Sequence, residues 1–367
     1  MKKIIIVTSL SDSLINFRGD LIQSMKDKFY KVITVSPGPS KEYAKVFEQK
    51  KILNIPIDFK KNRINVFQDL FSLIRLFKIF KQETPETILS YTIKPVIWSG
   101  LVAKFCKINF YALITGLGYS FHGKSFKRKL LKKLVVFLYK IALKNSKAVI
   151  FQNNDNLNLF VKESIVPRSK THLVNGSGVD IEKFNVVSFP KNNIHFLCIS
   201  RLLSEKGLRE YAAAAQIVKK NFPNAIFNLV GPKDTSFDSI SLDEVNSWSN
   251  YIDYKGSTMD VRPHIKEAHV YVLPSYHEGL PRSSLEAMSM GRPILTTDAA
   301  GCKETVINNV NGFKVPIGSV DMLAEKMIWF IKHPELIAPM GIASRRIVLE
   351  KFDVNKVNKE MLKIIRL

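Results

Sequence analysis

Glu278 and Glu286 stand with seven residues between them in a segment, 275–315, that reads SYHEGLPRSSLEAMSMGRPILTTDAAGCKETVINNVNGFKV. Before the first acid comes a short apolar and β-branched run, 269–274, of the kind that forms a buried strand. After it come a Gly-Leu-Pro turn, a helical stretch over 281–290, a stop at Gly291 and a second apolar run, 293–297. Pro281 has the fixed φ and missing N–H that a first helical turn tolerates, and Gly291 is a natural C-terminal stop. Glu278 is therefore expected in the loop at a strand's carboxyl end, with Glu286 on the helix that follows. Open α/β sheets bind ligands at that end. The N–H groups of Gly279 and Leu280 would face the same crevice and favour an anion. A second element supplies the opposite charge. Arg201 ends another strand candidate and Lys206 follows within about one turn, in ISRLLSEKGL. Two cations fixed in this way are suited to hold negative charge, although Arg-x4-Lys alone also describes many solvated helix faces.

The elements that must position these groups read as two series of alternating strands and helices. In the first, apolar runs at 3–8, 31–35, 87–90, 111–114 and 148–151 are separated by amphipathic stretches such as 18–27 and 65–82. The second has strand candidates at 194–200, 225–230, 251–255, 269–273 and 293–297. Such βαβ alternation implies parallel, doubly wound sheets. A polar, turn-rich stretch, 176–193, separates the two series. The expected domains are 1–180, with a final basic helix at 352–367, and 190–351. The opening MKKIIIVTSL imitates a signal peptide, but its apolar run is short, no small-residue cleavage site follows, and Ser-Asp-Ser breaks it. It reads as a first strand. No stretch approaches 18 apolar residues, so no membrane span is expected.

Composition narrows the class. The chain has 367 residues, more than one typical core, and 46% hydrophobic residues, ample for packing. Three cysteines, an odd number set far apart, argue against a disulfide framework and for a reducing compartment. The formal net charge is +23. Residues 1–190 hold 32 Lys/Arg and 13 Asp/Glu, and residues 191–367 hold 23 and 19, so the excess is +19 against +4. A surface or partner of the first half should account for it. Its densest part, 124–147, carries nine basic residues and no acid. There Leu130, Leu131, Leu134, Val135, Leu138, Ile141 and Ala142 fall at helical spacing, with Lys127, Arg128, Lys132 and Lys133 among the flanking cations. Such a helix either packs on the sheet with a solvated basic face or lies on an anionic leaflet. On a leaflet each basic residue contributes roughly 1 kcal/mol. Nucleic acid is not expected, for no recognised motif and no basic stretch interleaved with stacking aromatics is present.

The strand–Glu–helix–Glu arrangement, with EGLP, LEAM, G-x-P-I-L and N-G-F around it, resembles the E-x7-E element of retaining glycosyltransferases of family 4, which have the GT-B fold. The resemblance implies two Rossmann-like domains facing a cleft, with the last helix crossing back to the first domain. It gives Glu278 to the donor sugar and Glu286 to the ribose hydroxyls, where two carboxylate oxygens suit a vicinal diol. It gives Arg201 and Lys206 to the donor diphosphate, where charge grows as that group departs. Residues 175–180, NGSGVD, resemble the family's interdomain element. Gly231, before Pro232, and the stretch 256–262, ending in Arg262, fall where the nucleotide is held. In the first half the pattern departs from many members. No Gly-Gly pair occupies the first loop, which instead presents Asn16, Phe17, Arg18 and Gly19. No histidine follows the fourth strand; Thr115 and Gly116 open TGLGY, and the nearest histidine is His122. NFRG with TGLGY resembles a bacterial subgroup that extends polyprenyl-diphosphate-linked sugars in O-antigen, capsule and protein-glycan assembly.

From this the expected activity is transfer of an N-acetylhexosamine, with N-acetylgalactosamine in an α1,3 linkage as the specific choice. The donor is a UDP-sugar, the acceptor a sugar on undecaprenyl diphosphate, and the anomeric configuration is retained. The enzyme is expected in the cytoplasm, peripheral on the inner face of the membrane. No Asp-x-Asp triplet and no HExxH or CxxC spacing occurs, so no metal and no cofactor are expected. No G-x-G-x-x-G follows the first strand, against NAD chemistry. Two alternatives stay open: a UDP-sugar 2-epimerase on the same fold, and a non-enzymatic protein that binds membranes or polyanions.

Overall fold

The computed structural model describes residues 1–59, 66–117, 126–191 and 193–367. The first series of elements runs β1 (Lys3–Val7), α1 (Asp12–Asn16), α2 (Gly19–Asp27), β2 (Lys31–Ser36), α3 (Lys41–Gln49), β3 (Leu53–Pro56), α4 (Val66–Glu83), β4 (Thr87–Tyr91), α5 (Ile93–Cys106), β5 (Asn109–Ile114), α6 (Phe126–Leu143), β6 (Ala148–Phe151), α7 (Asn154–Lys162) and β7 (Thr171–Leu173). All seven strands are parallel, in the order β3-β2-β1-β4-β5-β6-β7. The run that imitates a leader is an interior strand, β1, with Ile4, Ile5, Ile6 and Val7 fully buried. Strands buried on both faces tolerate such continuous apolar runs. On one face, α4, α5, α6 and α7 cover a core with Leu76, Val96, Tyr139 and Phe160. On the other, α2 and α3 join a core with Leu21, Met25 and Phe47.

The second series runs β8 (His195–Ile199), α8 (Leu208–Asn221), β9 (Ile226–Val230), α9 (Leu242–Asn246), β10 (Asp253–Tyr254), α10 (Arg262–Glu267), β11 (Val270–Leu273), α11 (Arg282–Ser289), β12 (Ile294–Thr297), β13 (Gly312–Val315), α12 (Val320–Lys332), α13 (Ile337–Ile347) and α14 (Val354–Ile364). Its six strands are again parallel, in the order β10-β9-β8-β11-β12-β13. This is the two-Rossmann architecture that the alternation implied. In each sheet the chain winds outward one way and then returns to wind the other. The reversal falls between β1 and β4 in the first sheet and between β8 and β11 in the second. Crevices for ligands open at such switch points, beyond the carboxyl ends of the strands.

The chain forms two compact units, Met1–Ser177 with Val357–Leu367, and Gly178–Lys356. The last helix returns to the first unit, where Met361, Leu362 and Ile365 share a core with Ile4, Ile6 and Ile22. The turn-rich stretch after residue 177 packs with the second unit because two arginines satisfy its carbonyls. Arg345 donates to the carbonyls of Ile181 and Phe184, at 3.2 and 3.1 Å. Arg292, fully buried, donates to those of Val187 and Ser188, both at 3.0 Å. Counted by unit, the first holds 34 Lys/Arg against 12 Asp/Glu and the second 21 against 20. The charge is therefore +22 in one unit and +1 in the other.

Candidate functional site

Arg201 and Lys206 follow β8, Glu278 follows β11, and these are the two strands that flank the second sheet's switch point. The loop after β8 closes with a short 3-10 turn, Ser204–Lys206, whose end Gly207 has φ +70°. A Cβ on Gly207 would lie 2.0 Å from the Pro274 carbonyl oxygen, so only glycine lets this turn meet the end of β11. Hydrogen bonds lock the two loops together. Ser275 Oγ and the Tyr276 N–H both donate to the Glu205 carbonyl, at 3.0 and 2.9 Å. The Glu278 N–H donates to the Ala300 carbonyl at 2.8 Å, which fixes this loop against the one after β12.

The result is a buried ion pair, with Lys206 Nζ donating to Glu278 Oε1 at 2.7 Å, the two side chains 10% and 16% exposed. Burial pulls Lys206 down. The charges of Glu278 and Glu205 and the Glu278 hydrogen bond outweigh it, so the ammonium is held above the usual lysine range. Burial pushes Glu205 up, against the pull of Lys206. Arg201 is half exposed and donates to Asp234 Oδ2 at 2.7 Å. Its positive charge is felt by Lys206, where it opposes protonation. Burial alone would raise Asp234, but hydrogen bonds from Ser236 and the charge of Arg201 hold it below the ordinary carboxylate range. Two cations therefore sit at one strand end, each held by a carboxylate from a different loop.

Glu286 lies in α11. Tyr271 Oη, 3.1 Å from the Ile199 carbonyl and 2.6 Å from Ser283 Oγ, ties the first turn of that helix to the end of β8. Burial pushes the Glu286 carboxyl up. Arg282, one turn earlier and bonded to Oε1 at 3.1 Å, and Lys183 act against this, while Asp260 adds to it. Sequence reasoning missed Arg282, Lys183, Asp260, Asp234 and Glu205. Asp234 carried no signal, Glu205, Asp260 and Arg282 lay unremarked inside segments quoted above, and Lys183 follows the G-V-D string. Asp180 Oδ1 there accepts from the Glu182 and Lys183 N–H groups at 3.0 and 2.9 Å. The helix itself starts at Arg282, one residue later than the proline cue implied, with Pro281 as its cap. Gly279 and Leu280 are buried in the loop that leads into it.

Gly231 has φ +153°, and a Cβ there would lie 1.8 Å from the Ser200 carbonyl oxygen. Its N–H donates to the Gly256 carbonyl at 2.8 Å, and the Gly231 carbonyl accepts from Tyr254 Oη at 2.8 Å. Gly231 thus brings three loops together beneath Arg201. Arg262 opens α10 and grips Asp260 with Nε at 2.8 Å and Nη2 at 2.7 Å. Cys198 and Cys302 lie under these loops as free thiols, both pushed by burial to about 12.

In the first unit, Arg18 is 3% exposed, with its guanidinium 5.6 Å from the centre of the Tyr91 ring at the end of β4. Tyr91 Oη is 2.8 Å from Ser13 Oγ. Asn16 donates to Tyr43 Oη at 2.7 Å on the surface, and Phe17 is 41% exposed. Gly19 opens α2. Thr115 and Gly116 follow β5 and are half-buried. His122 lies outside the described residues. Of Asn16, Phe17, Arg18 and Gly19, Arg18 thus reaches the end of β4 at the switch point of this sheet, beside Ser13.

The basic helix needs a correction. Its seven apolar residues do not form one stripe: Val135 and Ala142 are buried and Leu131 and Leu138 pack on the same core, whereas Leu130, Leu134 and Ile141 face outward. Lys132 turns toward α7 and donates to Glu163 at 2.7 Å, so it belongs to helix packing rather than to an open basic face. Lys133 is exposed. The side chains of Lys127 and Arg128 lie outside the described residues. Among the described residues, no group of three or more His, Cys, Asp and Glu side chains is placed to hold a metal ion.

Two family descriptions match the chain, "Glycosyl transferases group 1" over residues 179–346 and "Glycosyl transferase 4-like" over residues 5–153. Among curated proteins, the N,N'-diacetylbacillosaminyl-diphospho-undecaprenol alpha-1,3-N-acetylgalactosaminyltransferase of Campylobacter jejuni is 28% identical over 366 residues, covering 96% of this chain and 95% of that one. The UDP-Gal:alpha-D-GlcNAc-diphosphoundecaprenol alpha-1,3-galactosyltransferase of Escherichia coli is 26% identical over 279 residues, 72% and 71% of the two chains. Among solved structures, Anabaena HepE in complex with UDP superposes over the whole of both chains with a TM-score of 0.80 at 17% identity. At that identity the likeness shows the fold.

Proposed function

The chain belongs to the group 1, 4-like glycosyltransferases of GT-B fold, and from that premise we propose that it transfers an N-acetylhexosamine from a UDP-sugar to a sugar on undecaprenyl diphosphate. Membership sets aside the 2-epimerase and the non-enzymatic alternatives. The Campylobacter relative's name supports N-acetylgalactosamine and an α1,3 linkage. The complex of HepE with UDP supports a uridine nucleotide as the donor's leaving part. The observation that carries the reading is the buried Lys206–Glu278 pair beside Arg201 at the switch point.

In this reading the second unit holds the donor. Lys206 and Arg201 receive the charge that grows on the diphosphate as the glycosidic bond breaks. Because Glu278 already holds Lys206, the ammonium is fixed before the donor arrives, and little reorganisation is needed during the reaction. Glu278 also orients the sugar. Glu286, with Arg282 against it, accepts from the ribose hydroxyls, and Gly279, Leu280, Gly231 and Arg262 line the donor side. The acceptor hydroxyl attacks on the face from which the diphosphate leaves, a phosphate oxygen takes its proton, and the configuration is retained. No paired acid and base at glycosidase spacing is required. The first unit, with Arg18, Asn16, Phe17, Gly19, Thr115, Gly116 and His122, takes the acceptor. Its charge of +22 complements a polyprenyl diphosphate and an anionic cytoplasmic leaflet.

The test is a transfer assay in EDTA with a panel of UDP-hexoses and UDP-N-acetylhexosamines, with and without a synthetic polyprenyl-diphosphate sugar. The expected product is one sugar larger, forms only with the lipid acceptor, and is greatest with UDP-N-acetylgalactosamine. Dependence on added Mg²⁺ or Mn²⁺ would overturn the metal-free mechanism. Conversion of the UDP-sugar without acceptor would overturn the reading as a whole.

A further inference from the structure

Two helices of the first unit are apolar on the side turned away from their core. In α4, Leu76, Ile79 and Phe80 are buried beneath the helix, yet Phe67, Leu70, Phe71, Ile74 and Phe77 stay exposed, Phe67 at 85% and Phe71 at 64%. Their spacing, i, i+3, i+4, i+7 and i+10, is that of one stripe along a helix. In α6 the outward side carries Leu130, Leu134, Phe137 and Ile141, with Leu130 62% and Phe137 58% exposed. Both helices pack against α5 over the same face of the sheet. A helix of a soluble domain is normally polar opposite its core side. One exposed leucine means nothing, but two stripes with nine large side chains between them form a patch that marks an interaction surface.

The charges around the stripes identify the partner. Arg75, Lys78 and Lys81 are exposed on α4, as are Lys129, Lys133 and Lys140 on α6 and Lys144 just beyond it. The acids of α4 are engaged elsewhere, Asp69 with Lys94 at 2.8 Å and Glu83 with Lys3 at 3.1 Å, and α6 has none. Large apolar side chains bordered by these cations match an anionic bilayer, whose acyl boundary takes the rings while its headgroups meet the ammonium and guanidinium groups. A second copy of the chain would set these cations against one another.

We propose that α4 and α6 together form a membrane-insertion surface, with the aromatic stripe of α4 entering the leaflet. This rests on the membrane reading above and extends it, from attraction by the lysines of one helix to insertion by two. Lysines alone would give binding that salt abolishes, whereas inserted rings give binding that salt weakens only in part.

The whole chain would be co-sedimented with vesicles of phosphatidylcholine containing about 30% phosphatidylglycerol, at about 50 and about 500 mM NaCl. The triple variant Phe67→Ser, Phe71→Ser, Ile74→Ser is expected to lose at least about tenfold in partition coefficient at both salts. The triple variant Lys133→Gln, Lys140→Gln, Lys144→Gln is expected to lose binding mainly at low salt. The single variant Phe71→Trp should give added fluorescence that shifts to the blue when vesicles are present, a readout that survives if the serine variant folds poorly. Wild-type-like binding by the serine variant, or an unshifted added signal from the bound Phe71→Trp variant, would overturn insertion while sparing electrostatic docking. Absence of vesicle binding by the wild-type chain would sink the membrane reading with it. A dimeric wild type whose serine variant is monomeric and binds vesicles unchanged would make the stripe a contact between copies, and would also overturn the proposal.

Discussion

Lys206 and Arg201 bear the same charge at the same strand end, yet their surroundings predict different consequences of losing them. Lys206 is buried and neutralises Glu278. Lys206→Ala therefore leaves a carboxylate in the interior without its cation, a change that costs about 3–5 kcal/mol when fully buried. It should lower both the melting temperature and kcat, the latter by about 100-fold or more. Arg201 is half exposed and its pair with Asp234 faces solvent. Arg201→Ala should lower kcat about as far with little change in melting temperature, and calorimetry beside steady-state kinetics would separate the two cases. Near-wild-type turnover in both variants would remove the diphosphate assignment. Glu286 presents the opposite trade. Its carboxyl is raised by burial, so the folded state holds its proton to higher pH than the unfolded chain does. Ionisation thus costs stability, and the cost grows as pH rises above the ordinary glutamate range. Glu286→Gln keeps an oxygen for Arg282 and removes that charge. It should melt higher than the wild type at about pH 7.5, the advantage shrinking as pH falls toward that range, while the KM for the UDP-sugar rises. A variant that melts lower at neutral pH would show that the Arg282 pair outweighs burial.

At the scale of elements, what holds these side chains in place is the close approach of loops, and glycine marks where it happens. Gly207→Ala or Gly231→Ala would set a methyl within 2.0 or 1.8 Å of a carbonyl oxygen, in backbones with positive φ. Each should cost about 3 kcal/mol or more in urea unfolding and uncouple the β8 loop from its neighbours, with loss of turnover. Gly19 is the contrast. It begins α2 at an ordinary helical φ, and the nearest atom to an added Cβ is 3.8 Å away. Gly19→Ala should leave stability within about 0.5 kcal/mol or raise it slightly, although the glycine falls in the loop where the resembled family uses them. This difference was not legible in the sequence, which shows a glycine but not its φ. Strands were legible because β1 and β11 are buried on both faces and read as apolar runs, and β12 as an apolar and β-branched one. The single apolar stripe expected on α6 was misread for a related reason. Where both sides of a helix carry leucines, periodicity finds the helix but cannot tell the core side from the outer side. Lys132 looked like its neighbours because its partner, Glu163, is 31 residues away. The pair Lys206–Glu278, 72 residues apart, could be joined only through a family resemblance.

At the scale of the whole molecule, the division of charge is sharper than the division of sequence suggested. Cutting the chain near its middle gives +19 and +4, but the folded units carry +22 and +1, because α14 returns basic residues to the first unit and the acidic and basic groups of the connecting stretch go to the second. The unit with the paired cation–carboxylate site is almost neutral as a body. In the proposed reading a UDP-sugar is therefore drawn by local groups such as Lys206 and Arg201 and not by the unit's long-range field. The strongly basic unit, by contrast, projects a field that reaches about 10 Å at 0.1 M salt and shrinks to about 3 Å at 1 M. The two substrates should then respond to salt differently. With the acceptor in anionic vesicles, kcat/KM for the acceptor should fall at least about tenfold between low and half-molar NaCl. With a short-chain acceptor in solution the fall should be smaller, and the KM for the donor should change by less than about threefold in both settings. Equal salt dependence for donor and vesicle-borne acceptor, measured in initial rates across a salt series, would show that the excess charge serves neither the acceptor nor its membrane.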